Sequence, residues 1–215
     1  MTAPRIILAV LLVSNLTLAA AADEVPQGAR ETAGEDPDWP CEQALVPEIS
    51  AAVVWDGPSV EGLKQSWQNV SAVAALVKQI SSPKFSEEGA KAAVASFAAE
   101  QKPEDKNRML TLVFAGVLEQ LNDDRDMLIE GVKRYSRDQA RRADALGDEL
   151  DQMVRLEQDP SPGAAQQLAE LRKRLELEQR VFDDREKSIN YLCLRPVAVE
   201  QRLGFLARTI AEYLD

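Results

Sequence analysis

Residues 146–175 read LGDELDQMVRLEQDPSPGAAQQLAELRKRL, and this stretch decides the architecture. Asp159-Pro160-Ser161-Pro162-Gly163 breaks the chain between two long, charged, helix-favouring arms. If the arms fold back on each other at that turn, paired residue numbers must have a constant sum. A sum of 321 brings Met153 to Leu168, Leu150 to Leu171 and Leu146 to Leu175. Farther from the turn it brings Val132 to Ile189 and Ile129 to Leu192. The charges, read separately, agree: Glu149 meets Arg172, Asp148 meets Lys173 and Arg137 meets Asp184. One pair, Arg134 with Lys187, is a mismatch. The reading is an antiparallel coiled-coil hairpin over 124–194, with arms of about 45 Å at 1.5 Å per residue. Gln139, Arg142, Glu178 and Arg185 fall on its seam, a polar layer that costs stability and can pin register.

Away from the hairpin the expected class remains all-α. Val60, Leu63, Trp67, Val70, Val73, Val77 and Ile80 recur at helical steps, and Ser81-Ser82-Pro83 stops that helix. Ser86 caps a second helix that ends near Lys102-Pro103. A third begins at Pro103, and its stretch from Met109 to Leu121 is apolar on nearly all sides, as a central buried helix should be. Asn122-Asp123-Asp124 either ends it or is run through. Arg195-Pro196 is expected to break the second hairpin arm. A last helix, within 195–215, then packs Val199, Leu203, Leu206, Ile210 and Leu214 on a helical body spanning 59–123.

The N-terminus carries an address. Arg5, the apolar run Ile6 to Leu12 and Ala20-Ala21-Ala22 have the layout of a signal peptide over 1–22, which implies export. The alternative is an uncleaved membrane anchor, although the apolar stretch is short for a span and holds Ser14, Asn15 and Thr17. Residues 23–38 read as a mobile leader. Residues 39–58, with three prolines, Trp39 and Trp55, read as an extended segment lying on apolar helices. A short strand from Ile49 to Trp55 is the other reading, but no second strand offers to pair with it.

Much chemistry is closed to this chain. Its 215 residues contain no histidine, so His-dependent triads, His-ligated metals and imidazole acid/base catalysis are excluded. Two cysteines are too few for an all-cysteine zinc site or a one-chain iron–sulfur cluster. A net charge of -11 opposes nucleic acid and anionic membranes as partners. Carboxylate, Ser/Lys or Tyr chemistry survives, but adjacent pairs such as Asp123-Asp124 and Asp183-Asp184 point in different directions along a helix. Asp144, Asp148 and Asp151 lack a calcium loop. No cofactor is expected.

In an oxidising compartment Cys41 and Cys193 read as a disulfide that clamps the Pro/Trp segment to the hairpin root. Closing so long a loop contributes about 5 kcal/mol in the chain-entropy model. A redox-active pair or an intermolecular bridge are the alternatives. Trp39 and Trp55 read as apolar anchors, with stacking on a ligand or partner as the functional alternative.

Asp38-Trp39-Pro40-Cys41, Val46-Pro47-Glu48-Ile49-Ser50 and Val54-Trp55-Asp56-Gly57-Pro58 together resemble a family of exported alphaproteobacterial proteins without an assigned activity. The resemblance implies a bacterial periplasmic setting and carries over no site residues. The expected function is therefore non-enzymatic: a periplasmic interaction or scaffold protein whose hairpin binds a protein partner, or a second copy of the chain in a four-helix dimer. The competing expectation is an envelope enzyme or ligand-binding module with its site between the Trp39/Trp55 segment and the body.

Overall fold

The computed structural model describes residues 36–215. The expected signal peptide and all but the end of the expected leader lie outside the described residues. Among the described residues the secondary structure is wholly helical: α1 (Ala51–Val54), a 3-10 turn (Ser66–Asn69), α2 (Ser71–Ser81), α3 (Glu87–Ala99), α4 (Pro103–Glu157) and α5 (Ala164–Ala211). The all-α class and the hairpin are as expected.

The helix termini follow local chemistry. Ser50 accepts a hydrogen bond from the Ala52 amide and starts α1, so Ile49 to Trp55 form neither a strand nor a fully extended run. Ser86 accepts from the Gly89 amide at the head of α3, which carries Glu87 and Glu88 in its first turn. The helix expected to begin near Val60 begins only at Ser71. Gly62 and Gln65 have positive φ angles of 75° and 62°, which interrupt the helical path. The intervening turn is held from outside, because Glu119 Oε2 accepts from both the Gln65 amide and the Trp67 indole.

The body closes around α4. Every residue from Leu110 to Val117 is buried, as expected for a central helix. Phe114 stacks on Trp55 with ring centroids 4.0 Å apart. Val73, Val77 and Ile80 of α2, Val94 of α3 and Leu203, Leu206 and Ile210 of α5 are all 0% exposed around it. Burial of each such side chain contributes about 1.5–3 kcal/mol. Gly116 permits the closest approach, since a Cβ there would lie 2.8 Å from atoms of Trp67 and Val77.

Two expected boundaries do not exist. α4 runs straight through Asn122-Asp123-Asp124, and α5 runs straight through Pro196, so the second arm and the C-terminal helix are one helix. Proline removes one intrahelical bond, but packing outweighs that loss here. Pro196 is fully buried, and the three-then-four seam spacing passes through it without a phase change, from Leu192 to Val199, Leu203, Leu206 and Ile210. α4 keeps the same spacing through Phe114, Leu121, Arg125, Leu128, Val132, Gln139, Leu146 and Met153. One continuous pair of helices thus serves as body core at one end and as a projecting rod of roughly 50 Å at the other.

The register holds in its middle and drifts towards the tip. Gln139 Nε2 donates to the Phe182 carbonyl at 3.0 Å, in the expected alignment, and Leu146 shares a small apolar cluster with Leu171 and Leu175. The expected ionic partners are wrong. Glu149 pairs with Arg174 at 3.0 Å, Arg172 with Glu157 at 2.7 Å, and Arg137 leaves the hairpin to pair with Asp38. Leu150, expected opposite Leu171, is 47% exposed, because half-buried Glu149 and Met153 hold the neighbouring seam positions.

The polar layer is a closed network. Gln139 is 3% exposed, its Oε1 accepts from Arg185 Nε, and Arg185 also pairs with Asp138 and lies 4.3 Å from the centre of the Tyr135 ring. Burial raises the Asp138 carboxyl, but Arg142, Arg185 and Arg141 together hold it below its ordinary value. Removing one member should cost more than removing both. Gln139→Ala is expected to lower stability by about 1–3 kcal/mol in urea unfolding. Gln139→Leu combined with Arg185→Leu should be neutral or stabilising.

Candidate functional site

Beside the seam, each helix carries two further rows of side chains, one on each flank of the rod. The two flanks differ in what covers them at the root.

One flank lies under residues 36–58, which form an N-terminal strap. Asn122, on α4, clamps the backbone of Ile49 in both directions: its Nδ2 donates to the Ile49 carbonyl and its Oδ1 accepts from the Ile49 amide, each at 3.0 Å. One turn on, Arg125 is 4% exposed in the seam, where its Nε pairs with Glu200 at 2.7 Å. Its Nη1 donates to the carbonyls of Val46 and Pro47. Cys41 is bonded to Cys193 with Cα atoms 5.6 Å apart, and Gln43 Nε2 donates to the Cys193 carbonyl. The intramolecular disulfide is thus the one present, and it anchors the strap to α5 while Asn122 and Arg125 anchor it to α4.

The strap starts earlier than expected. Asp36 pairs with Lys133 at 2.9 Å and Asp38 with Arg137 at 2.7 Å, so the end of the expected mobile leader is docked. The hydrogen bond from Lys133, aided by the Asp38 amide, holds the Asp36 carboxyl below its ordinary value, and Asp36 raises Lys133 in return.

The two tryptophans have different fates. Trp55 is 8% exposed and stacked in the core, with its indole N–H donated to the Pro58 carbonyl. It is an anchor and offers no face to a ligand. Trp39 is half-buried beside the disulfide and donates to the Gln43 carbonyl at 2.8 Å, which shapes the loop around Cys41. Two concavities lie where the N-terminal segment meets the body, one of about 180 Å³ lined by Glu48, Lys64, Glu119, Asn122 and Asp123 among others, and one of about 600 Å³ lined by Pro58, Ser59, Leu63, Asn107, Arg108 and Thr111 among others; neither tryptophan lines either of them. Among the described residues no three His, Cys, Asp or Glu side chains gather as a metal-binding group.

The opposite flank is open. Asp124 and Met127 on α4 face Arg195, Ala198 and Arg202 on α5 across a groove of about 490 Å³, closed at one end by Ser81 and Pro83. Arg202 Nε and Nη2 donate to the Ile80 carbonyl at 3.2 and 2.6 Å, which caps the C-terminus of α2. Burial lowers the Arg202 guanidinium. Counting back from Arg202 in steps of four and three, the same α5 row reaches Ala198, Arg195, Tyr191, Ser188, Asp184, Val181 and Leu177. Tyr191 is 79%, Leu177 57% and Val181 43% exposed, and Met127 at the root is 64% exposed.

Sequence reasoning missed Asn122 and Arg125. Arg125 did carry a signal, because a lone charge on an apolar seam next to a body core requires buried partners.

Two outcomes check the strap. The Asp36 carboxyl, followed by NMR, should titrate below 3.8 and move up in Lys133→Ala. Because its folded value is depressed, its contribution is full above 3.8 and is lost as pH falls through the folded value. Asn122→Ala orphans two backbone groups of Ile49 and should cost about 1–3 kcal/mol, with faster amide exchange at Ile49.

A comparison with protein-family models, with curated proteins and with solved structures finds no match to this chain.

Proposed function

We propose that this chain is an exported, non-enzymatic interaction protein whose hairpin binds a protein partner along its open flank. The observation that carries this reading is the row Leu177, Val181 and Tyr191, whose side chains remain in solvent on a rod held rigid by its own seam. Aligned apolar side chains spaced at helical intervals suit a partner helix laid alongside the rod. The strap supports the same reading, because it occupies the other flank at the root and leaves one side free.

Export rests on the signal-like residues 1–22, and the Cys41–Cys193 bond accords with an oxidising compartment. Among the described residues no helix is long and apolar enough to cross a membrane. The resemblance carried by residues 38–58 points to the periplasm as that compartment.

Photo-crosslinkers placed at Val181 and at Asp151, on different faces of the rod, test the proposal in intact cells. Val181 should yield one specific adduct that is lost in Leu177→Asp, while thermal unfolding stays within about 2–4 °C, as for a loss near 1 kcal/mol. Equal labelling from both positions would remove the open flank as the binding surface.

A further inference from the structure

The root groove differs from the open row above it, because it is concave, bounded at one end and lined by two arginines. Leu121, Leu128 and Val199 supply apolar surface, and Met127 stands on the rim. Arg195 and Arg202 share the α5 wall, and neither has a carboxylate within 4.0 Å among the described residues. Glu87 acts on Arg202 only at longer range, and Asp124 on the far wall accepts from Gln120 at 3.1 Å. Arg202 spends Nε and Nη2 on Ile80 and lies 5.5 Å from the centre of the Phe205 ring, while its Nη1 makes no hydrogen bond among the described residues. Ser81, at the closed end, has a buried hydroxyl with no hydrogen-bond partner. In a chain with 36 acidic and 25 basic side chains, two guanidinium groups without a carboxylate partner among the described residues, against the single carboxylate of Asp124, are a local reversal of sign.

From this combination we infer that the root groove binds a single-chain fatty carboxylate, with its alkyl chain on Leu121, Leu128 and Val199 and its head group at Arg195 and Arg202. A planar carboxylate suits a guanidinium fork, and a volume of about 490 Å³ is in the range of small-ligand sites. The inference is independent of the partner proposed for the rod, which uses residues farther out.

The test titrates the oxidised protein, labelled at its methionine methyls, with decanoate, decanol and decyltrimethylammonium, each below its micellar concentration. Met127 lines the groove, whereas Met109 lies against the body core and Met153 near the tip. Decanoate should shift the Met127 methyl saturably, at one molecule per chain and about tenfold more tightly than either control, a difference of about 1.4 kcal/mol. Ala198→Trp, at an exposed groove position, should abolish the shift, and Arg195→Gln should weaken decanoate towards decanol. Equal affinity for the three amphiphiles would overturn the inference. So would equal shifts at Met109 and Met153, or undiminished binding in a folded Ala198→Trp variant.

Discussion

Arg125 is the group on which the arrangement depends. It sits where two long helices pass from body to rod, is 4% exposed, and carries a charge that apolar surroundings would penalise by several kcal/mol if unpaired. Its partners come from two directions: Glu200 on α5, and the carbonyls of Val46 and Pro47 on the strap. The strap is therefore part of the solvation shell of a buried cation. That relation holds the chain at Val46 and Pro47 in a defined place, and the Trp55 stack on Phe114 and the disulfide to α5 secure it on either side.

The asymmetry of the rod follows. A bare antiparallel helix pair has two equivalent flanks. Here the strap covers one at the root, while the end of α2 and the turn after it bring Ser81 and Pro83 to the other and leave a groove. Surface free for recognition is thus set by the route of the first described residues as much as by the hairpin itself.

The class, the hairpin and the disulfide were legible because each rests on a signal that survives packing. The apolar residues followed one antiparallel count, a Pro-Ser-Pro-Gly turn separated the arms, and two cysteines leave a single intramolecular pairing. The errors lie where local rules met tertiary forces. Pro196 looked like a terminus because proline costs a helix a bond, yet the seam beyond it was in phase and its burial prevailed. Val60 to Trp67 had helical spacing, yet Gly62 and Gln65 turn the chain and Glu119 holds the turn. Surface ion pairs were the least legible, because long flexible side chains reach partners a half-turn away at little cost, as Glu149 and Arg174 do. The roles of Asn122 and Arg125 required knowing where the strap runs.

The unbroken course of α5 through Pro196 has a mechanical consequence. A rod attached by a flexible joint would swing without disturbing its base, but here the outer arm and a helix of the body's core are one stiff element. Torque applied near Ser161 is carried down the shaft to Leu203, Leu206 and Ile210, and the globular end resists as a counterweight. Bending of the shaft therefore loads the packed core itself, at the level where Cys41 is tied to Cys193.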